Sequence, residues 1–178
     1  MKALSLALSM LLLSAVNVGA ATRDASLINS FQVLCALEAP VFDSIDKRAT
    51  AMRLPVRRDL RTPSGGGPSV AHAKSWLMLL TTGPHELLAS EADGPAGHIE
   101  SCGISAPDPN GESFKKELTA TMKLGQPSST ATSPDGVMRT TIWKEAYGTG
   151  TWLQMVDATP QNKPGVMLYF FVQRASQH

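Results

Sequence analysis

Net charge is nearly absent from this sequence. Sixteen Lys and Arg residues face 15 Asp and Glu residues over 178 positions. That balance argues against general nucleic-acid binding and against a polybasic membrane tether. Cysteine is scarce, with two in the whole chain, Cys35 and Cys102. No C-x-x-C or H-x-x-x-H occurs, and His72, His85, His98 and His178 are widely scattered. These spacings match no recurring ligand pattern, so the sequence predicts no metal site. There is no G-x-S-x-G nucleophile elbow. The Gly-rich stretch GGGPSVAHAKS at 65–75 lacks the glycine spacing of a phosphate loop and precedes a predicted strand. No catalytic residue and no cofactor is assigned.

Long apolar runs are missing after residue 16. Before it, Lys2 precedes the run LSLALSMLLLSAV, and the small residues Val18-Gly19-Ala20 follow, with Gly19-Ala20-Ala21 as an alternative frame. This is the pattern of a cleaved export signal. The run is shorter than the roughly 20 apolar residues of a membrane span. The expectation is a signal peptide at 1–20, a single α+β domain at 21–178, and a periplasmic or secreted protein. No transmembrane segment is expected after cleavage.

What is present reads as helices and short strands. Leu27, Phe31, Leu34, Val41, Ile45, Ala49 and Met52 recur at helical spacing, and Pro40 should split the element into helices near 26–38 and 40–52. Residues 53–74 break every periodicity with four prolines or glycine runs and read as a flexible Arg/Gly/Pro-rich loop. Apolar stretches at 75–80, 85–92 and 98–105, bounded by turn residues, predict strands. Asp108 is the expected N-cap of a further helix carrying Phe114, Leu118 and Met122 on one stripe. Residues 126–136 read as a polar loop, and VMRTTIWKEA, TWLQMVDA and VMLYFFVQR as three more strands. The predicted architecture is an antiparallel sheet with helices on one face. Its order is α-βββ-α-βββ, read as two copies of one αβββ unit or as a single α+β layer pair.

Three readings compete for the cysteines. A reactive thiol needs a helix N-terminus, a cation or a paired histidine, and local sequence supplies none. Two buried free thiols are the bland alternative. A Cys35–Cys102 disulfide accounts for both residues in an exported chain, and closing a loop of about 68 residues is worth roughly 4 kcal/mol.

Two groups of residues are candidates for contact with a partner. Arg53, Arg57, Arg58 and Arg61 are the cations of the 53–74 segment and suit bidentate recognition of a carboxylate or phosphate. Trp152 alternates with Gln154 along a predicted strand and is a candidate ligand-facing residue. The export signal, the early helical cysteine, SCGISAPDP before a helix and the terminal strand KPGVMLYFFV resemble small exported proteins of unknown function from Gram-negative bacteria. That resemblance implies an envelope setting and no activity. The leading expectation is a non-enzymatic module binding a small molecule or an envelope protein. The alternatives are a periplasmic hydrolase built from distant residues, and an envelope assembly accessory protein.

Overall fold

The computed structural model describes residues 15–61, 69–94, 97–107, 109–159 and 165–175, with side chains described outside 15–22, 69–71 and 94. Most of the apolar run of the expected export signal and the predicted N-cap Asp108 therefore lie outside the described residues. The first helix, α1 (Ala15–Phe31), runs into a five-residue π turn (Gln32–Ala36). Pro40 ends the helical path as expected, and α2 (Phe42–Ala51) starts just beyond it. No side chain of its own caps α2. Its first N–H instead donates to Glu100 Oε1 at 3.0 Å, a carboxylate delivered by a distant strand.

Four strands follow: β1 (Val56–Arg61), β2 (Ser69–Leu80), β3 (Gly83–Gly94) and β4 (Gly97–Ala106). Then come α3 (Gly111–Thr121) and four more: β5 (Ser129–Thr132), β6 (Met138–Lys144), β7 (Thr151–Ala158) and β8 (Val166–Arg174). Asn110 caps α3, its Oδ1 accepting from the N–H groups of Glu112 and Ser113. The eight strands form one antiparallel sheet in the order β1-β2-β3-β4-β8-β7-β6-β5. Each half is a meander of four strands, and the halves join through their last members.

Two loop expectations need correction. The segment 53–74 is not one flexible connection: residues 56–61 form β1 and residues 69–74 the first half of β2. The segment 126–136 likewise contains β5. Both strands are sheet edges, and every residue in them is exposed. With neither face covered, no apolar alternation is required, so none is written in the sequence.

Along the central strands alternate residues point into one core. Trp76, Leu87, Ala89, Cys102, Ile104, Leu153, Met155, Leu168 and Phe170 join Ile28, Phe31, Ile45, Phe114 and Leu118 of the helices in a single cluster. A disulfide ties Cys35 in the π turn to Cys102 in β4, with Cα atoms 5.2 Å apart. It crosses from the helical segment to the centre of the sheet.

Candidate functional site

The residues that alternate with the core set form the sheet's second face, and a groove of about 430 Å³ lies on it. That size is within the usual range of small-molecule sites. Its floor comes from β2, β3, β4 and β8, and no helix residue lines it. Leu60, Leu88, Met167 and Tyr169 supply apolar surface, while Ser75, Glu86, Ser90 and Ser101 supply polar groups. Ser75 Oγ donates to Glu86 Oε1 at 2.6 Å, and the hydroxyls of Ser90 and Ser101 pair at 2.7 Å across β3 and β4. The floor is thus internally satisfied, and the groove's polar residues are held in place.

Gly103 makes room for the groove's largest ring. It pairs with Tyr169 across β4 and β8, and a side chain at 103 would overlap that ring and approach the Leu168 carbonyl to 2.7 Å. Beyond Tyr169 an aromatic row continues along the same face. The Tyr169 and Phe171 centroids are 5.8 Å apart, and Trp152 stacks on Phe171 at 4.9 Å with an interplanar angle of 7°. Burial, and then the charge of Glu86, raises the Tyr169 pKa above the usual phenol value. At neutral pH the ring therefore presents a hydroxyl donor.

The four arginines of the sequence analysis part company here. Arg53 ends α2 in a left-handed conformation with φ of 55°, and Arg61 lies 3.9 Å from Asp59. Arg57 and Arg58 come to the groove. The register between β1 and β2 slips between Val56 and Arg58, which makes Arg57 the extra residue of a bulge. Arg58 lines the groove itself, and Arg57 lines an adjoining hollow of about 300 Å³. Glu86 and Ser105 belong to both depressions. Among the described residues neither Arg57 nor Arg58 forms an ion pair. Trp152 and Gln154 lie on the same face, Gln154 directly across from Tyr169. Trp152 lines a separate hollow of about 380 Å³ with Ile142 and Lys144.

Sequence reasoning missed a second constellation, on the core-side face of β2, β3 and β4. His72 is opposite Glu91, Glu91 is opposite Glu100, and His98 is opposite Asp93. His72 Nε2 meets Asp59 Oδ1 at 2.8 Å, and His98 Nδ1 meets Asp93 Oδ1 at 2.8 Å. The hydrogen bond from His72, its largest cause, lowers the Asp59 pKa. Glu100, besides receiving the α2 N–H, pairs with Arg174 Nε at 2.9 Å. Phe42 of α2 covers His72, the ring centroids 4.1 Å apart. The signal for this cluster was the register of two successive hairpins, which residue spacing alone does not display.

Searches of protein-family models, of curated proteins and of solved structures found no match for this chain.

Proposed function

We propose that this protein is an exported, non-enzymatic binding module whose ligand is a small amphipathic molecule bearing an anionic group. The observation that carries this reading is the groove on the open face of the sheet. It offers apolar wall from Leu60, Leu88, Met167 and Tyr169, with Arg58 at its rim and Arg57 beside it. Two guanidinium groups without carboxylate partners favour a carboxylate or phosphate, which they can hold through paired N–H donors. An aromatic and aliphatic floor favours an apolar body on the same molecule.

Several features support the setting and the architecture that this reading assumes. The Cys35–Cys102 disulfide suits an oxidising compartment, and no described helix is long and apolar enough to cross a membrane. The joining of two four-stranded meanders through β4 and β8 supports a duplicated helix-plus-strands unit, longer by one strand than the αβββ unit expected. The shared core supports helices packed on one face, which leaves the other for the ligand.

The alternatives have weaker support. Ser75 bonds to Glu86, and Ser90 and Ser101 bond to each other, so these three hydroxyls are engaged with partners other than histidine, which argues against a serine hydrolase there. Both sheet edges are short, and β1 is strongly charged, which works against assembly by strand addition.

Calorimetric titration with dodecanoate and with dodecanol tests the proposal. Dodecanoate should bind with a Kd in the micromolar range, dodecanol at least tenfold more weakly, and Arg58→Gln should remove most of that difference. Equal affinity for acid and alcohol, or an Arg58→Gln variant that still prefers the acid as strongly, refutes it.

A further inference from the structure

The two histidines of the second cluster share an arrangement that asks for a cation. Each uses one ring nitrogen in a 2.8 Å hydrogen bond to an outer carboxylate, Asp59 for His72 and Asp93 for His98. Each turns its other nitrogen toward Glu91, which stands between them. His72 Nδ1 is 3.9 Å from Glu91 Oε1, and His98 Nε2 is 3.9 Å from Glu91 Oε2. In the neutral tautomer whose proton is on the outward nitrogen, the inward nitrogen offers a lone pair beside a carboxylate that also has only lone pairs to offer. Nor is 3.9 Å a hydrogen-bond distance, which would end near 3.2 Å. It is a few tenths of an ångström longer than the roughly 3.3–3.6 Å between two donor atoms on a tetrahedral ion with bonds of about 2.0–2.2 Å.

We propose that Glu91, His98 and Glu100 bind a divalent transition-metal ion of the zinc class, with His72 facing Glu91 from its other side. Donor atoms of Glu91, His98 and Glu100 lie within 4.8 Å of one another, and Glu100, whose two oxygens accept from the α2 N–H and Arg174, would share one of them with the ion. Glu91 and His98 are half-buried, which gives solvent access and freedom to adjust, whereas His72 is 8% exposed and Glu100 6%. Imidazole and carboxylate together suit zinc and its neighbours better than calcium or magnesium.

Two further features point the same way. A ligating histidine ordinarily hands its second N–H to a carboxylate, which fixes the tautomer and strengthens the donor, and Asp93 is placed 2.8 Å from His98 Nδ1 to take that proton. The charge count also favours a dication. Arg174 offsets Glu100, and Lys74 reaches Asp46 at 2.7 Å and Asp59 at 4.0 Å. Glu91 and Asp93 have no Lys or Arg partner among the described residues and face only His72 and His98. The site is on the opposite face of the sheet from the groove and stands independently of it.

Titration of the metal-free protein with Zn²⁺, followed by calorimetry and by melting temperature, is the test. One equivalent should bind with a Kd of a micromolar or lower and raise Tm by about 5–10 °C at a hundredfold excess over Kd. His98→Gln and Glu91→Gln should each weaken binding more than a hundredfold. Asp93 is highly exposed, so Asp93→Asn should fold normally and still weaken binding about 10–100-fold. Ca²⁺ should not compete. Absence of saturable binding up to millimolar Zn²⁺ overturns the proposal, as does undiminished affinity in Asp93→Asn together with His98→Gln.

Discussion

Asp24 shows how one side chain can set a pH response. It is 6% exposed on α1, and Ser113 Oγ of α3 donates to it at 3.3 Å. Burial raises its pKa above the ordinary carboxylate value, the Ser113 bond opposes that, and the charge of Glu117 adds to it. The folded state therefore holds the Asp24 proton more tightly than the unfolded chain does. Stability is lost as pH rises from the unfolded value of 3.8 through the raised folded one, and the loss persists above it. Asp24→Asn keeps an acceptor for Ser113 without the charge. Its Tm should exceed that of the parent at pH 7, and the difference should vanish near pH 3.5, as read by differential scanning calorimetry at both pH values. At this scale the sequence was partly legible. Trp152 and Gln154 share the groove's face because strand alternation is a short-range rule. The His72, Glu91, His98 and Glu100 cluster was not, because it depends on hairpin pairings that bring residues up to 28 positions apart into one patch.

At the scale of elements, the disulfide joins a π turn to a central strand. Cys35 and Cys102 are separated by 67 residues, so the bond restricts a long segment of the unfolded chain. Cys35→Ala with Cys102→Ala should cost about 2–5 kcal/mol in urea unfolding, and dithiothreitol should bring the parent protein to a similar midpoint. Unchanged stability in dithiothreitol with a loss in the double alanine variant would mean that burial of both sulfurs, rather than their linkage, is what matters. The elements themselves were legible wherever one side was buried. The strand expected at 75–80 is the second half of β2, and those expected at 85–92 and 98–105 are the inner parts of β3 and β4. The strands β1 and β5 escaped notice because VRRDLR and STAT face solvent throughout. Helix α3 was found from its stripe of Phe114, Leu118 and Met122, and its observed cap is Asn110.

Across the whole molecule, one sheet serves two kinds of surface: a face sealed by core residues and a face left concave. Such a sheet has two free borders, and both are short here. On β1, Arg57, Asp59 and Arg61 charge the border and a bulge twists it. Charge and bulging are ways of keeping an unpaired border from recruiting another chain. Replacing Arg57 and Arg61 with valine should promote association, visible as a rise in light scattering at tens of micromolar protein. Scattering that stays at the parent's level would show that the bulge alone suffices.

The seam between β4 and β8 also fixes an order of events. Strand β4 is complete by Ala106, yet its partner spans Val166–Arg174, nearly at the end of the chain. During synthesis the N-terminal meander must wait with a ten-residue border of unpaired backbone groups uncovered. That interval, rather than the finished protein, is when the polypeptide most needs a chaperone's protection.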